Sequence, residues 1–297
     1  PTCTTAYTVT SNVGSSPSTS CSGAVAANYT FTYVAGAVTI TPATVTVTAS
    51  SHTVTYGDAV PTITASFSGF KNSETSAVLT TQPTCTTAYT VTSNAGSTPS
   101  TSCSGAAAVN YTFTYTAGAV TINKATVSVT ASSPTVTYAD PIPTITATFG
   151  AFKNGESSSV LTTQPTCTTA YTTSSNAGSS PATSCSGAAA TNYTFTYTPG
   201  AVTVNKATST TVVTCPVSVT YNGAAQTPCS ATVTGVGGLN QSVTVTYGSN
   251  TNAGTASAAA TFAGDTNHTG SNDSKMFDIL KRSEEHTSEL QSRFGIS

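Results

Sequence analysis

One segment of this chain occurs three times. Pro83–Ile122, PTCTTAYTVTSNAGSTPSTSCSGAAAVNYTFTYTAGAVTI, is nearly copied at Pro1–Ile40 and Pro165–Val204. The cysteines set the period. Cys3, Cys85 and Cys167 stand 82 residues apart (85 − 3, 167 − 85), and so do Cys21, Cys103 and Cys185. A constant period without insertions means tandem modules, and it constrains the fold more than any single motif.

The composition agrees with modules built from strands. Only 6% of residues are charged, against about 25% in an average soluble chain. Hydrophobic residues make up 37%, and many alternate with Thr, so one sheet face can be buried. Disorder usually combines low hydrophobicity with high net charge, which this is not. A net charge of −2 gives no electrostatic footprint for nucleic acid or an anionic membrane. No apolar run approaches the ~18 residues of a membrane span, so no membrane insertion is expected.

The alternation divides the chain into five parts. Residues 1–42 read as the second half of a module and should be poorly anchored, because half a module exposes unpaired strand edges. In it Cys3, Thr5, Tyr7 and Val9 share one face, Tyr29, Phe31 and Tyr33 another, and Val38 and Ile40 follow Gly36. Residues 43–124 and 125–206 are complete modules, with Val45 and Val47 inward and Tyr111, Phe113 and Tyr115 on the core side. Gly69–Leu79 reads as a loop or a single helical turn. Residues 207–281 form a last module with its own pattern, whose short strands and turns point to a β-sandwich. The fold class expected is all-β: tandem β-sandwich modules in an elongated array.

Eight cysteines fall into four regular pairs: Cys3/Cys21, Cys85/Cys103 and Cys167/Cys185 at a separation of 18, and Cys215/Cys229 at 14. Such spacings suit cross-links between neighbouring strands in an oxidising compartment. Zinc would need ligands clustered about 2–4 residues apart, and these cysteines are isolated. Free thiols are the remaining alternative.

Tyr56-Gly57-Asp58, Pro61, Gly69-Phe70, Asn110-Tyr111-Thr112-Phe113 and Gly118–Ile122 together resemble the MBG-type repeats of bacterial surface proteins, over residues 1 to about 206. Two departures stand out. The second complete module has Tyr138-Ala139-Asp140, without the glycine, and the cysteine pairs are a local variation. Residues 207–281 resemble a bacterial Ig-like repeat, most clearly from Gly264-Asp265 to Ser271. Both resemblances imply secreted or surface-anchored spacers, often in adhesin-like proteins, with no catalytic residues and no cofactor. Residues 282–297 resemble a translated sequencing adapter and abandon the Thr-rich style, carrying five charged residues: Arg282, Glu284, Glu285, Glu289 and Arg293. On that reading the natural chain continued past Lys281, and the tail adds nothing to the fold.

Chemistry-bearing residues are sparse. Acid/base catalysis needs paired carboxylates or a His beside a nucleophile in a pocket. Before the tail there are only His52 and His268, and His52 becomes Pro134 in the next repeat. Asp265, Asn267, His268 and Asp273 form one cluster of oxygen- and nitrogen-bearing side chains, a weak calcium candidate against a hairpin turn. Lys124 and Lys206 follow Asn123 and Asn205. They read as solvated strand exits, or as partners in a Lys–Asn isopeptide bond beside Asp58 or Glu74. Asn28, Asn110 and Asn192 lie in N-Y-T sequons, and the T-x-T runs make hydroxyl ladders of the kind a solvated sheet face shows.

The expectation is a non-catalytic spacer or stalk, extracellular or at the cell surface, whose partners are the neighbouring modules of the same chain. The alternative is an adhesin-type module that binds glycan or host surface protein. No enzymatic role is expected.

Overall fold

The computed structural model describes residues 1–283, so the expectations for the adapter-like tail from Glu284 onward fall outside the described residues. Residues Pro1–Ser128, Gly150–Gln164 and Ala188–Thr196 form one compact unit. Val129–Phe149, Pro165–Gly187 and the chain from Tyr197 form a second.

In the first unit, β1 (Thr2–Thr5), β2 (Ser18–Ser22) and β3 (Gly36–Ala37) make a small antiparallel sheet in which Cys3 lies opposite Cys21. None of residues 1–42 is buried. Tyr29, Phe31 and Tyr33 do not form the expected strand and are exposed, and Val38 and Ile40 also lie outside any strand. The reason is topological. In a complete module these stretches pair with strands from the module's first half, which has no counterpart before residue 29 among the 297 residues. A strand without its ladder leaves backbone groups to water.

The first complete module contains β4 (Ala43–Ala49), β5 (His52–Thr55), β6 (Ala65–Ser68), β7 (Thr84–Thr87), β8 (Ser100–Ser104), β9 (Tyr111–Thr116) and β10 (Gly118–Asn123). Two sheets result, β6-β4-β9 and β5-β10-β8-β7. The ladders β4/β9 and β5/β10 are parallel, and the rest are antiparallel. Val45 and Val47 are fully buried, as are Val120 and Ile122 on β10. The intervening threonines point outward. Thr44 meets Thr112 at 3.4 Å and Thr46 meets Thr114 at 3.2 Å, a hydroxyl ladder along the parallel register. Tyr115 departs from the expected core face: it is 41% exposed, and its hydroxyl accepts the Ala106 amide at 2.8 Å. Within Gly69–Leu79 a single 3-10 turn forms at Ser76–Val78, capped by Thr75.

The second module repeats the order with β11 (Ala125–Ala131), β12 (Thr135–Thr137), β13 (Ala147–Phe149), β14 (Thr166–Thr169), β15 (Ala182–Ser186), β16 (Tyr193–Thr198), β17 (Gly200–Ala201) and β18 (Thr203–Asn205). Here β17 and β18 together replace the single β10. β12 pairs in parallel with β18 and β15 pairs with β17, around a core of Tyr171, Val202 and Val204.

The last module contains β19 (Ser209–Thr214), β20 (Ser218–Thr220), β21 (Ser230–Gly235), β22 (Asn240–Ser242), β23 (Val245–Gly248), β24 (Gly254–Phe262) and β25 (Ser271–Leu280). Its four-stranded sheet, β20-β25-β24-β23, follows the same order as β5-β10-β8-β7, again with a parallel first pair. Strand β22, which carries no apolar alternation, was not expected from sequence. The ten residues of β25 do the work of both β9 and β10. Its C-terminal end pairs with β20. Its N-terminal half reaches β19 through side chains, the Asp273 carboxylate accepting the Val213 amide at 2.8 Å and Ser271 meeting Ser209 at 2.8 Å. Phe277 and Ile279 are 2% exposed and Met276 is 75% exposed, the phase that alternation on a half-buried strand requires.

Disulfides join Cys3–Cys21, Cys85–Cys103, Cys167–Cys185 and Cys215–Cys229. The first three link residues directly opposite on adjacent strands. The fourth extends the β19/β21 ladder one step beyond Thr214↔Ser230.

Candidate functional site

The polar side chains of this protein gather at the boundaries between modules. The second and third boundaries use the same parts, and the first, whose leading half-module has no Tyr-x-Asp turn, shares the rest. On the earlier module, a Tyr-x-Asp turn and an Asn-x-Gly loop project from the ends of strands. On the later module, an Asn followed by an aromatic ring receives them.

The Tyr56-Gly57-Asp58 turn is fixed by its own backbone. The Asp58 amide donates to Thr55 O at 2.9 Å, and the Asp58 carboxylate accepts the Thr55 amide at 2.9 Å. Gly57 takes the left-handed conformation at φ +82°. Tyr89, 2% exposed, donates its hydroxyl to Asp58 O at 2.7 Å and braces the turn from below. Tyr171 braces Asp140 in the same way at 2.8 Å. There Ala139 holds the glycine-like φ of +68° despite its Cβ.

Onto the first turn closes the loop at Lys153–Gly155. The Tyr56 hydroxyl donates to Glu156 Oε1 at 2.7 Å, and Tyr193 donates to Glu156 Oε2. The rings of Tyr56 and Tyr193 meet edge to face at 5.5 Å. Lys153 Nζ reaches Asp58 Oδ1 at 3.2 Å. The Thr55 amide and then the Lys153 ammonium hold the Asp58 carboxyl below its ordinary range. Burial and the neighbouring Glu156 push the Tyr193 hydroxyl well above its own, and the hydrogen bond to Glu156 does the same for Tyr56.

The second contact is a carboxamide latch. Asn192 Oδ1 accepts the Ala95 amide at 2.9 Å while its Nδ2 donates to Asn94 Oδ1 at 3.1 Å. The same pair of bonds joins Asn110 to Val13 and Asn12 at 3.0 and 2.9 Å. It joins Asn267 to Ala177 and Asn176 at 2.9 and 3.1 Å. Asn72 and Asn154 add a third strut, donating to Val9 O at 2.7 Å and Val91 O at 3.0 Å. Thus the leading half-module, which buries nothing of its own, is nevertheless held by its boundary contacts.

The Tyr-Gly-Asp turn and its Tyr-Ala-Asp counterpart both lie within segments that match a known family. The MBG domain (YGX type) family matches residues 45–121 and 127–203, together more than half of the chain. The chain belongs to the MBG family. No curated protein matches it. The two matched segments lie within residues 43–124 and 125–206, and residues 207–281, whose four-stranded sheet has the order of β5-β10-β8-β7, lie outside the match.

In this MBG protein the residues considered for chemistry take structural places. His268 is buried, its Nδ1 2.9 Å from Asp265 Oδ1 and its Nε2 3.0 Å from Val236 O, and its ring packs edge to face on Tyr138 at 5.5 Å. It fills the position that Tyr193 holds at the previous boundary. Burial opposes ionisation of Asp265, but the bonds from the His268 ring and the Asn267 and His268 amides outweigh it and lower its carboxyl. With Asp265 on the turn, Asn267 in the latch and Asp273 on Val213, the calcium candidate is spent on protein partners. Among the described residues no group of three His, Cys, Asp or Glu side chains is placed to hold a metal ion. His52 Nε2 lies 2.9 Å from the Ser50 hydroxyl.

Lys124 and Lys206 do not meet an asparagine. Their Nζ atoms donate across the boundary, to Ala190 O at 3.1 Å and to Asp265 O. Asp58 and Glu74 are engaged elsewhere, Glu74 by the Tyr111 hydroxyl. This geometry removes the isopeptide reading. Of the sequon asparagines, Asn110 and Asn192 are latch residues, whereas Asn28 is exposed. The latch was missed in the sequence because a single Asn-Tyr reads as a strand start. Its signal was the joint recurrence of Asn-x-Gly at Asn12, Asn94, Asn176 and Asn252.

The MBG family is not a known family of enzymes. No helix among the described residues is long and apolar enough to cross a membrane.

Proposed function

We propose that this MBG protein is a structural spacer of an extracellular or cell-surface protein, in which module boundaries resist bending. The observation that supports this reading is the latch. Three successive boundaries repeat the same two-bond carboxamide contact. The linkers leave almost no slack: β11 begins at Ala125, two residues after β10 ends at Asn123. Four cross-strand disulfides suit secretion into an oxidising compartment, since each module alone is small for an unaided core.

Small-angle scattering of the chain and of its Asn110→Ala/Asn192→Ala/Asn267→Ala variant tests the reading. A spacer loses a defined maximum dimension and gains a spread of conformations when the latches go. An unchanged profile, or selective retention of the chain on a glycan array or by a host surface protein, favours the adhesin role instead.

A further inference from the structure

The end of the last module carries the tyrosine, the Asn-x-Gly loop and the lysine of an earlier-module boundary, although Tyr221-Asn222-Gly223 lacks the aspartate of the Tyr-x-Asp turn. Tyr221 ends β20 as Tyr56 ends β5: its amide donates to Leu280 O at 2.9 Å, as Tyr56 donates to Asn123 O at 2.8 Å and Tyr138 to Asn205 O at 2.9 Å. Asn252-Ala253-Gly254 repeats Asn94-Ala95-Gly96. Gly254 pairs with Ile279 where the Gly96 amide donates to Ile122 O. Lys281 follows Leu280 as Lys124 follows Asn123 and Lys206 follows Asn205, and those two lysines reach the next module.

At the occupied boundaries these groups are engaged. Tyr56 is 2% exposed, and the amides of Val13, Ala95 and Ala177 are all bonded to an asparagine Oδ1. On the last module Tyr221 is 37% exposed, and Asn252, Ala253 and Lys281 are exposed. Among the described residues the Ala253 amide, the Asn252 side chain and the Lys281 ammonium have no partner.

We infer that this end of the last module, Tyr221, Asn252-Ala253 and Lys281, is an acceptor site for a further β-sandwich module joined in tandem. The module it fits carries, late in its own sequence as Asn110, Asn192 and Asn267 are carried here, an Asn followed by an aromatic or imidazole ring. The recognition chemistry is a carboxamide that accepts from Ala253 N–H and donates to Asn252 Oδ1, a contact seen three times in this molecule, with a ring packed on Tyr221 and a backbone carbonyl for Lys281, each seen twice. A second copy of this chain is a poor occupant. Its Asn110, Asn192 and Asn267 are already latched, and the strand that should follow its exposed Asn28 is not formed. The inference stands on latch geometry and is independent of whether the protein is a spacer or an adhesin.

Amide hydrogen exchange at Ala253 tests it. Four chains are compared: the full chain, the chain ending at residue 283, and two in which residues 282–297 are replaced by a second copy of 207–281 or of 125–206. In the first two, Ala253 should exchange at one fast rate. In both extended chains it should slow roughly tenfold or more, toward the rates of Ala95 and Ala177, as one added hydrogen bond requires. Changing the appended module's latch asparagine, the counterpart of Asn267 or of Asn192, to alanine should restore the fast rate. An appended module that forms its own disulfide yet leaves Ala253 fast overturns the inference, as does failure of both extensions to protect it. Faster exchange on removing residues 284–297 also overturns it, by making the chain's own tail the occupant.

Discussion

The carboxamide of Asn192 bonds at both ends across a module boundary, accepting from Ala95 N at 2.9 Å and donating to Asn94 Oδ1 at 3.1 Å. Asn192→Ala removes both bonds at once. Because Asn94 is exposed, water replaces part of what is lost, and the expected cost is about 1–2 kcal/mol. Denaturant unfolding should show that loss, and exchange at Ala95 N–H should rise while exchange in the Val129–Ala131 stretch of β11 stays slow.

Gly57 and Ala139 occupy equivalent turns and should respond in opposite ways. At Gly57 the backbone is left-handed, and an added Cβ would lie 2.6 Å from Lys153 Cβ. Gly57→Ala should therefore destabilise by more than the ~1 kcal/mol of backbone strain alone. Ala139 already carries that strain at φ +68°, so Ala139→Gly should stabilise by up to about 1 kcal/mol, read as a higher melting temperature.

The Cys85–Cys103 bond closes a short loop between β7 and β8. Replacing both cysteines with alanine should cost roughly 3 kcal/mol on the chain-entropy account. Peptide mapping of unreduced secreted protein should recover Cys85 with Cys103, Cys167 with Cys185 and Cys215 with Cys229. Cross-module pairs would contradict the register.

Stability should fall on both sides of neutrality. Asp58 has a depressed folded pKa, so its contribution is present above its unfolded value near 4 and is lost as pH falls through the folded value. Tyr193 has a raised folded pKa, so its contribution is complete below the unfolded value near 10 and is lost as pH rises beyond it. Asp58→Asn should flatten the acid limb of the melting-temperature profile, and Tyr193→Phe should flatten part of the alkaline limb.

Alternation and periodicity alone determined the module length, the strands that carry valine, and the cysteine partners. Val45, Val47, Phe277 and Ile279 are buried because side chains on a strand alternate by geometry, which any sequence displays openly. Three things depended on tertiary structure. Tyr29–Tyr33 has the same residues as β9 yet forms no strand, since a strand exists only where a partner completes its ladder. The last module shares the order of one sheet with the first, β20-β25-β24-β23 for β5-β10-β8-β7, although β25 spans two strand positions in one run. The latch asparagines lie 98, 98 and 91 residues from the asparagines they meet, and no local pattern encodes a hydrogen bond over that distance. Local periodicity writes the modules into the chain, but their boundaries arise only when strand ends from two modules are brought side by side.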